Sequence, residues 1–273
     1  MPERDFDRGY DRNPAENYER FFVPAIGAPV ARDLVTRADL HEGERVLDVA
    51  CGTGIVTRLA AERVGERGAV TGVDINPAML AVAERRVSGP SLLTWRRANA
   101  EKLPLAAASF DAALCQMSLQ FMSTPDVALG EMRRVLVEGG RLALNVPGPA
   151  APFFHAVAGA LGRHAGPDAA RFVKTVFAID DPAVLERRIA DAGFESPEVR
   201  ADRKTLHLPP PSTFLWQYIA STPLAGALDQ VDDEARAAIE REVVRECRPF
   251  QTARGMDVQQ PIITALARKP AAA

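Results

Sequence analysis

Val46-Leu47-Asp48-Val49 is an apolar run closed by Ala50-Cys51-Gly52-Thr53-Gly54, and a stretch with Ile55, Leu59 and Ala60 on its apolar side follows at once. A buried strand, a glycine turn and a helix start, in that order, bring unpaired backbone N–H groups and the positive end of a helix to a ligand at the carboxyl edge of a sheet. The glycines let the ligand approach the backbone closely. A dinucleotide would ask for G-x-G-x-x-G. Thr57 stands where the third glycine would be, so that fingerprint fails.

Such a turn works only if strands and helices hold it. Short apolar runs alternate with capped amphipathic segments, the pattern of an α/β domain, and no internal repeat is visible. Strands are predicted over Arg45–Val49, Ala69–Asp74, Leu92–Arg97, Phe110–Gln116 and Gly140–Val146. Asn13-Pro14, Asn76-Pro77, Thr124-Pro125 and Asp181-Pro182 each read as an N-cap with proline at the first helical position. Glu16 makes the first of these resemble a capping box. The helices opened by Thr124 and Asp181 are expected to stop at Gly139-Gly140 and Gly193.

Beyond Val146 the pattern loosens. Residues 147–178 mix proline, glycine and the aromatics Phe153, Phe154, Phe172 and Phe177. A strand is expected over Phe194–Ala201, a break at Leu208-Pro209-Pro210-Pro211, and a helix from about Asp232 to Cys247. Val258–Arg268 is the last strand. Pro261 inside it predicts a bulge or a later start, because proline cannot donate to a central ladder.

Composition narrows the function classes. The chain has 273 residues, 33 Lys+Arg against 36 Asp+Glu, net charge -3 and 47% hydrophobic residues, which is enough to bury a sizeable core. The slight acidity gives no general attraction to nucleic acid. No apolar run approaches the ~20 residues of a membrane span, and Met1 to Arg20 lacks the apolar centre of a signal peptide. A cytoplasmic location is expected. Cys51, Cys115 and Cys247 form no CxxC pair and no Cys/His cluster, so neither a disulfide scaffold nor a metal site is expected.

Further motifs give the loop its context. Gly72-Val73-Asp74-Ile75 ends the second strand, with Asp74 20 residues after Gly54. Ala98-Asn99-Ala100-Glu101-Lys102-Leu103-Pro104-Leu105 and Ser109-Phe110-Asp111 follow the third, and Gln116-Met117-Ser118-Leu119-Gln120-Phe121 the fourth. With these motifs in order, the chain resembles the class I S-adenosylmethionine-dependent methyltransferases, in the small-molecule group related to the ubiquinone/menaquinone enzymes. The resemblance is strong from Arg45 to Val146. It is weak over Asp180 to Ala201 and the last strand.

The resemblance implies a Rossmann-like three-layer α/β sandwich. Its sheet would be mostly parallel and seven-stranded, with an antiparallel last strand and helical cap insertions. It also implies S-adenosyl-L-methionine as cofactor and S-adenosyl-L-homocysteine as product. Asp48, Ala50, Cys51, Gly52 and Gly54 match the family's first motif. Asp74 would hold the ribose, since its two oxygens can accept from both hydroxyls. Ile75 would pack on the adenine with Met79 close by. Asn99 replaces the usual Asp that accepts from the adenine amino group. Its carbonyl can accept that bond, while its amide can donate to a ring nitrogen. The backbone of Ala100 and Glu101 would line the adenine pocket, with the Glu101 side chain solvated, and the backbone of Gln116 would face the methionine part.

The expected domains are an N-terminal helical lid over residues 1–40, a cofactor core over 41–205 and 255–270 with a cap insertion at 147–178, and a helical substrate cap over 206–254. Tyr18 lies in the lid, which in the family often folds over the cofactor. The catalytic candidates are His155, which follows Phe153-Phe154, and Gln120 at the fourth strand's end. Neither is a secure base. The absence of N/D-P-P-Y/F after the fourth strand argues against amines of nucleic acids, so the expected partner is a small-molecule acceptor, with no nucleic acid or membrane. A homodimer stays open. The alternatives are a quinone or lipid methyltransferase, and a non-catalytic cofactor- or NAD-binding protein.

Overall fold

Five strands pair in parallel, and the apolar runs of the inner ones need cover on both faces. In this computed structural model they are β1 (Arg45–Val49), β2 (Ala69–Asp74), β3 (Leu93–Arg97), β4 (Phe110–Gln116) and β5 (Leu136–Pro147). The structure describes residues 10, 13–87, 93–228 and 231–271. The expected strand residue Leu92 and most of the first twelve positions lie outside them. β6 (Glu195–Leu208), the short β7 (Gln251–Thr252) and β8 (Gly255–Arg268) complete the sheet. Its order is β3-β2-β1-β4-β5-β8-β6, with β7 paired to β8. β1 to β5 pair in parallel, and β8 joins β5 antiparallel. This is the expected mostly parallel sheet with a reversed last strand.

The chain divides into two compact units. The sheet unit comprises Ala28–Gly148, Ile179–Asp202 and Ile262–Ala273. It holds α2 (Ala28–Arg37), α3 (Ile55–Val64), α4 (Pro77–Arg85), α5 (Pro125–Val135) and α8 (Pro182–Asp191). Alternation along the strands sorts its core into two clusters. Val46, Val70, Ala112, Leu114 and Ala143 pack with Leu34, Val56 and Ala60 of α2 and α3. Their neighbours Leu47, Val73, Ala113, Cys115 and Leu144 pack with Leu129, Met132, Leu185 and Ile189 of α5 and α8. Successive strand residues point to opposite faces, so helices cover both sides and the unit has three layers.

The helical unit comprises Met1–Gly27, Pro149–Ala178 and Arg203–Pro261. It holds α1 (Pro14–Asn17), α6 (Pro152–His164), α7 (Pro167–Val176), α9 (Pro211–Ala220), α10 (Leu224–Ala227) and α11 (Asp233–Cys247). Between α1 and α2 the backbone is π-helical over Tyr18–Gly27, with Pro24 inside it. Proline has no N–H to close an α-turn, and the wider winding accommodates the gap. Phe153, Phe154, Phe177, Phe214 and Tyr218 form this unit's aromatic centre, with Phe153 5.2 Å from both Phe154 and Phe214. Burial pushes the Tyr218 phenol well up.

Several expected boundaries shift for identifiable reasons. The helix opened by Thr124 stops at Val135, before Gly139-Gly140, because Leu136 is already paired with Phe110. The next pair is Ala112 with Arg141, so an irregularity absorbs the intervening residues, and Gly139 takes φ 74 there. The last strand neither bulges nor starts late at Pro261: β8 runs through it from Gly255. Pro261 stands just outside the β5 ladder, whose last pair is Pro147 with Ile262, so that ladder loses no bond. β6 extends past Ala201 to Leu208. Asn13, Asn76 and Asp181 accept the cap bonds from Ala15, Ala78 and Ala183 N–H at 3.1, 2.9 and 2.9 Å. Thr124 makes no side-chain cap bond.

Candidate cofactor site

β1 has β2 on one side and β4 on the other, so strand order reverses at β1. In open α/β sheets the carboxyl ends of the strands at such a reversal form a crevice for ligands. The loops there are residues 50–54 after β1, 75–76 after β2, 98–102 after β3 and 117–120 after β4. All lie in the sheet unit.

The glycine loop is held by its neighbours in a conformation most residues avoid. Ala50, Gly52 and Gly54 have φ of 57, 55 and 85°, and Gly54 caps α3 in the left-handed region. The Cys51 N–H donates to Val73 O at 2.9 Å, and the Gly54 N–H to Cys51 O at 2.9 Å. Arg58 donates from Nη1 to Thr53 O at 2.7 Å. Thr53 is buried, and its Oγ1 has no partner among the described residues.

Two buried carboxyls sit beneath the loop. Asp74 Oδ2 accepts from Gly52 N–H and Oδ1 from Asn76 N–H, each at 2.8 Å. One side chain thus ties the glycine loop to the β2 turn. Each oxygen keeps a further lone pair for another donor. Burial pushes the Asp74 carboxyl up, and the N–H groups of Asn76, Gly52 and Ile75 pull it back. Asp48 accepts from Thr57 Oγ1 at 2.5 Å. Its burial raises the carboxyl to about 7 against the opposing Thr57 bonds, and nearby Asp74 adds to the rise. The same burial, with both carboxylates close, raises the Cys51 thiol. Thr57 therefore has a structural partner that its failure as a glycine did not reveal.

Beside Asp74, Ile75 is 62% exposed, so its side chain stands open at the strand end. Met79 is half-buried. Asn99 Oδ1 accepts the Glu101 N–H at 2.9 Å, so its carbonyl is already partly engaged. The Glu101 side chain is not simply solvated: its Oε1 accepts from Thr124 N–H at 2.8 Å, satisfying the N–H of the residue that opens α5. This link had no signal in the sequence, because only the folded chain brings 101 to 124. Glu131 and Arg134 of α5 fix the same loop, Glu131 through Leu103 N–H and Arg134 through Leu103 O and Leu105 O.

After β4, Gln116 is half-buried and Met117 has φ 48°. Met117 N–H bonds Asn145 O at 2.8 Å and Asn145 Oδ1 at 3.2 Å, while Met117 O accepts from Gln120 Nε2 at 2.9 Å. A carbonyl can only accept, which fixes the Gln120 amide with its nitrogen toward Met117. The other atom, Oε1, is buried without a partner among the described residues. Tyr18 and His155 belong to the helical unit. Tyr18 stacks on Phe22 at 4.6 Å, and His155 is exposed on α6. Among the described residues no group of three His, Cys, Asp or Glu side chains could hold a metal ion, and no helix is long and apolar enough to cross a membrane.

Known proteins share this arrangement. Residues 47–144 match the family described as a methyltransferase domain. A ubiquinone/menaquinone biosynthesis C-methyltransferase of Xanthomonas oryzae is 42% identical over 113 residues, which are 40% of this chain and 45% of that one. The chain thus spans about half the length of the first relatives it matches. The corresponding enzyme of Neisseria meningitidis is 34% identical over 174 residues, 59% of this chain and 71% of its own length. A phosphoethanolamine N-methyltransferase of Haemonchus contortus, solved with S-adenosylhomocysteine, has the same fold, with a TM-score of 0.62 at 20% identity over 99% of this chain and 60% of that one. The chain belongs to the class I S-adenosylmethionine-dependent methyltransferases, in the group related to the ubiquinone/menaquinone enzymes.

Proposed function

We propose that the chain transfers the methyl group of S-adenosylmethionine to a small-molecule acceptor by in-line displacement. An acceptor lone pair forms the new bond to the methyl carbon, the carbon–sulfur bond breaks toward sulfur, and S-adenosylhomocysteine leaves. The cofactor supplies an already activated sulfonium, so the chain's own work is positioning and exclusion of water. The observation that carries this reading is Asp74, which ties the glycine loop to the β2 turn and keeps lone pairs for a diol.

Asp74 holds the ribose hydroxyls, and the exposed Ile75, with Met79, takes the adenine face. Asn99 turns its amide hydrogens to an adenine ring nitrogen, because its oxygen is shared with Glu101 N–H. The backbone of Ala100 and Glu101 lines the same pocket. Ala50, Cys51, Gly52 and Gly54, with the Gln116 backbone, line the methionine part, and Asp48 steadies the loop from below.

Gln120 orients the acceptor: its buried Oε1 takes a hydrogen bond from an acceptor O–H or N–H. An amide is too weak a base to remove that proton. A base is needed only if the nucleophile keeps its proton at neutral pH, and His155 is the side chain that would then be tested. Residues 147–178 and 206–254 carry acceptor selection. The acceptor is small and carries an O or N nucleophile, with no nucleic acid partner, and the reaction is cytoplasmic. A second acceptor class, a quinone-type ring carbon, is favoured by the names of the Xanthomonas and Neisseria relatives.

Calorimetric titration tests the cofactor. S-adenosylhomocysteine should bind and NADH should not, and the reverse result would sink the reading. Labelled-methyl transfer to pooled metabolites, with hydroquinones as a separate pool, identifies the acceptor. Gln120→Met should then raise KM for the acceptor by about tenfold while leaving KM for the cofactor unchanged, as expected when one hydrogen bond to bound acceptor is lost.

A further inference from the structure

Trp95 lies opposite Gly72 in the β2–β3 register. It is half-buried, on an edge strand where Thr94, Arg96 and Arg97 are exposed. Its indole spreads over two glycines at once. A methyl group built on Gly72 would lie 2.7 Å from Cε3 and Cζ3 of Trp95, and 3.0 Å from Cys51 Sγ. A methyl on Gly54 would overlap Trp95 Cη2 and lie 3.0 Å from Cζ3 and 3.3 Å from Ala83 Cβ. The ring thus fills the volume that both glycines leave open. Gly54 is also left-handed, but Gly72 is not among the positive-φ glycines. At Gly72 the requirement is closeness to the ring and to Cys51, rather than backbone freedom.

We infer that Trp95 is a positioning residue for the glycine loop, acting as the rigid floor that sets how deep Gly54 and Cys51 sit before the cofactor binds. The loop's backbone bonds fix its ends: Cys51 N–H to Val73 O, and Gly52 N–H to Asp74. None of them presses on Gly54 from the β3 side. A bicyclic ring with two rotatable side-chain bonds does this at small entropic cost and fixes the N–H directions at the start of α3. Packing a large ring against cross-strand glycine also compensates for the side chain that β2 lacks there.

The inference rests on the S-adenosylmethionine reading, and a binding series separates the two. Affinity for S-adenosylhomocysteine is measured by calorimetry for the wild type, Trp95→Phe, Trp95→Leu, Gly72→Ala and the double variant Trp95→Leu/Gly72→Ala. No binding by the wild type would overturn the cofactor reading and, with it, this inference. With wild-type binding established, Trp95→Leu should bind about tenfold more weakly, since a loop misplaced by a fraction of an ångström loses its aligned donors. Trp95→Phe should recover to within about threefold, because a flat ring remains. Gly72→Ala should mimic Trp95→Leu, because its methyl displaces the indole.

In the Trp95→Leu background, Gly72→Ala keeps only its approach to Cys51 Sγ and should add less than about threefold, well short of full additivity, as expected of two changes acting mainly through one contact. KM for S-adenosylmethionine should rise with these losses while kcat stays within about twofold, a split that general destabilisation does not produce. Wild-type affinity in Trp95→Leu, or full additivity in the double variant, overturns the role of Trp95 and leaves the cofactor reading standing. Should Trp95→Leu fail to fold, Gly72→Ala and Trp95→Phe decide by the same measure: wild-type affinity in Gly72→Ala overturns the inference.

Discussion

Buried polar side chains brace the strand-end loops in one unit, and clustered aromatic rings fill the centre of the other. Asp48, Thr57, Asp74, Gln120 and Asn145 are buried in the sheet unit, and all five bond the loops at the strand ends or a residue beside them. The helical unit also buries Asn17, Ser221, Thr222 and Gln260, but these bond backbone groups of that unit: Asn17 to Ala220 O, Ser221 to Gln217 O, Thr222 to Ile219 O, and Gln260 to Ala151 N–H and Pro149 O. Its centre is the five-ring cluster around Phe153 and Tyr218. The two modes constrain sequence differently. A directional bond to a backbone N–H specifies a residue type at one position, whereas a ring cluster specifies mainly volume and tolerates exchange. The stretch matched by the methyltransferase domain family, residues 47–144, accordingly lies wholly inside the sheet unit.

The sharpest way to break this contrast is to empty the ring cluster. Phe153 is fully buried among Phe154, Phe214 and Tyr218. Phe153→Ala should cost about 3–5 kcal/mol of stability by denaturant unfolding, the range for deleting a core phenylalanine. Affinity for S-adenosylhomocysteine below the transition should change by less than about threefold, the additivity expected of sites that share no partner. A loss of affinity as large as the loss of stability would mean that the rings help hold the cofactor.

The converse change is in the sheet unit. Asp74→Ala removes a charged acceptor from two backbone N–H groups and from the proposed ribose. Cofactor affinity should fall about a hundredfold, from two charge-assisted bonds at about 1.5 kcal/mol each. Binding as tight as wild type would remove Asp74 from the ribose role. Asp74→Asn keeps an acceptor oxygen and should lose less.

Asp48 tests the same unit by pH. Its folded value of about 7 lies above its ordinary 3.8. Between the two, the folded chain holds a proton the unfolded chain has released, so this group's contribution to stability falls as pH rises from about 4 to about 7. Asp48→Asn removes the titration while keeping an acceptor for Thr57. The variant's Tm should exceed that of the wild type at pH 7.5 by at least about 2 °C and converge with it near pH 4. Parallel curves across that range would show that the carboxyl is not held protonated.

These contrasts also explain what was legible. β1, β2 and β4 fall at the expected residues because their apolar runs end at glycine or polar turns. Asn13, Asn76 and Asp181 cap as expected because a cap is local. The misses are all non-local. Leu136 leaves the helical pattern because Phe110 pairs with it. Glu101 is engaged because Thr124 folds back to it. Trp95 matters because β3 lies beside β2 in the register that puts it on Gly72. Thr57 was legible only as a missing glycine, and its bond to Asp48 needs the turn of α3 to bring it back under β1.

The finest test uses one device that occurs in both units. Asn13-Pro14 opens α1 in the helical unit and Asn76-Pro77 opens α4 in the sheet unit, with cap bonds of 3.1 and 2.9 Å. Replacing either asparagine by alanine should cost about 1 kcal/mol of stability. Only Asn76 also gives its backbone N–H to Asp74. Asn76→Ala keeps that N–H but loosens the turn that aims it, so S-adenosylhomocysteine affinity should weaken by about threefold, a fraction of one hydrogen bond. Asn13→Ala should leave affinity unchanged. Equal effects of the two caps on affinity would mean that the polar network and the helical unit respond as one body.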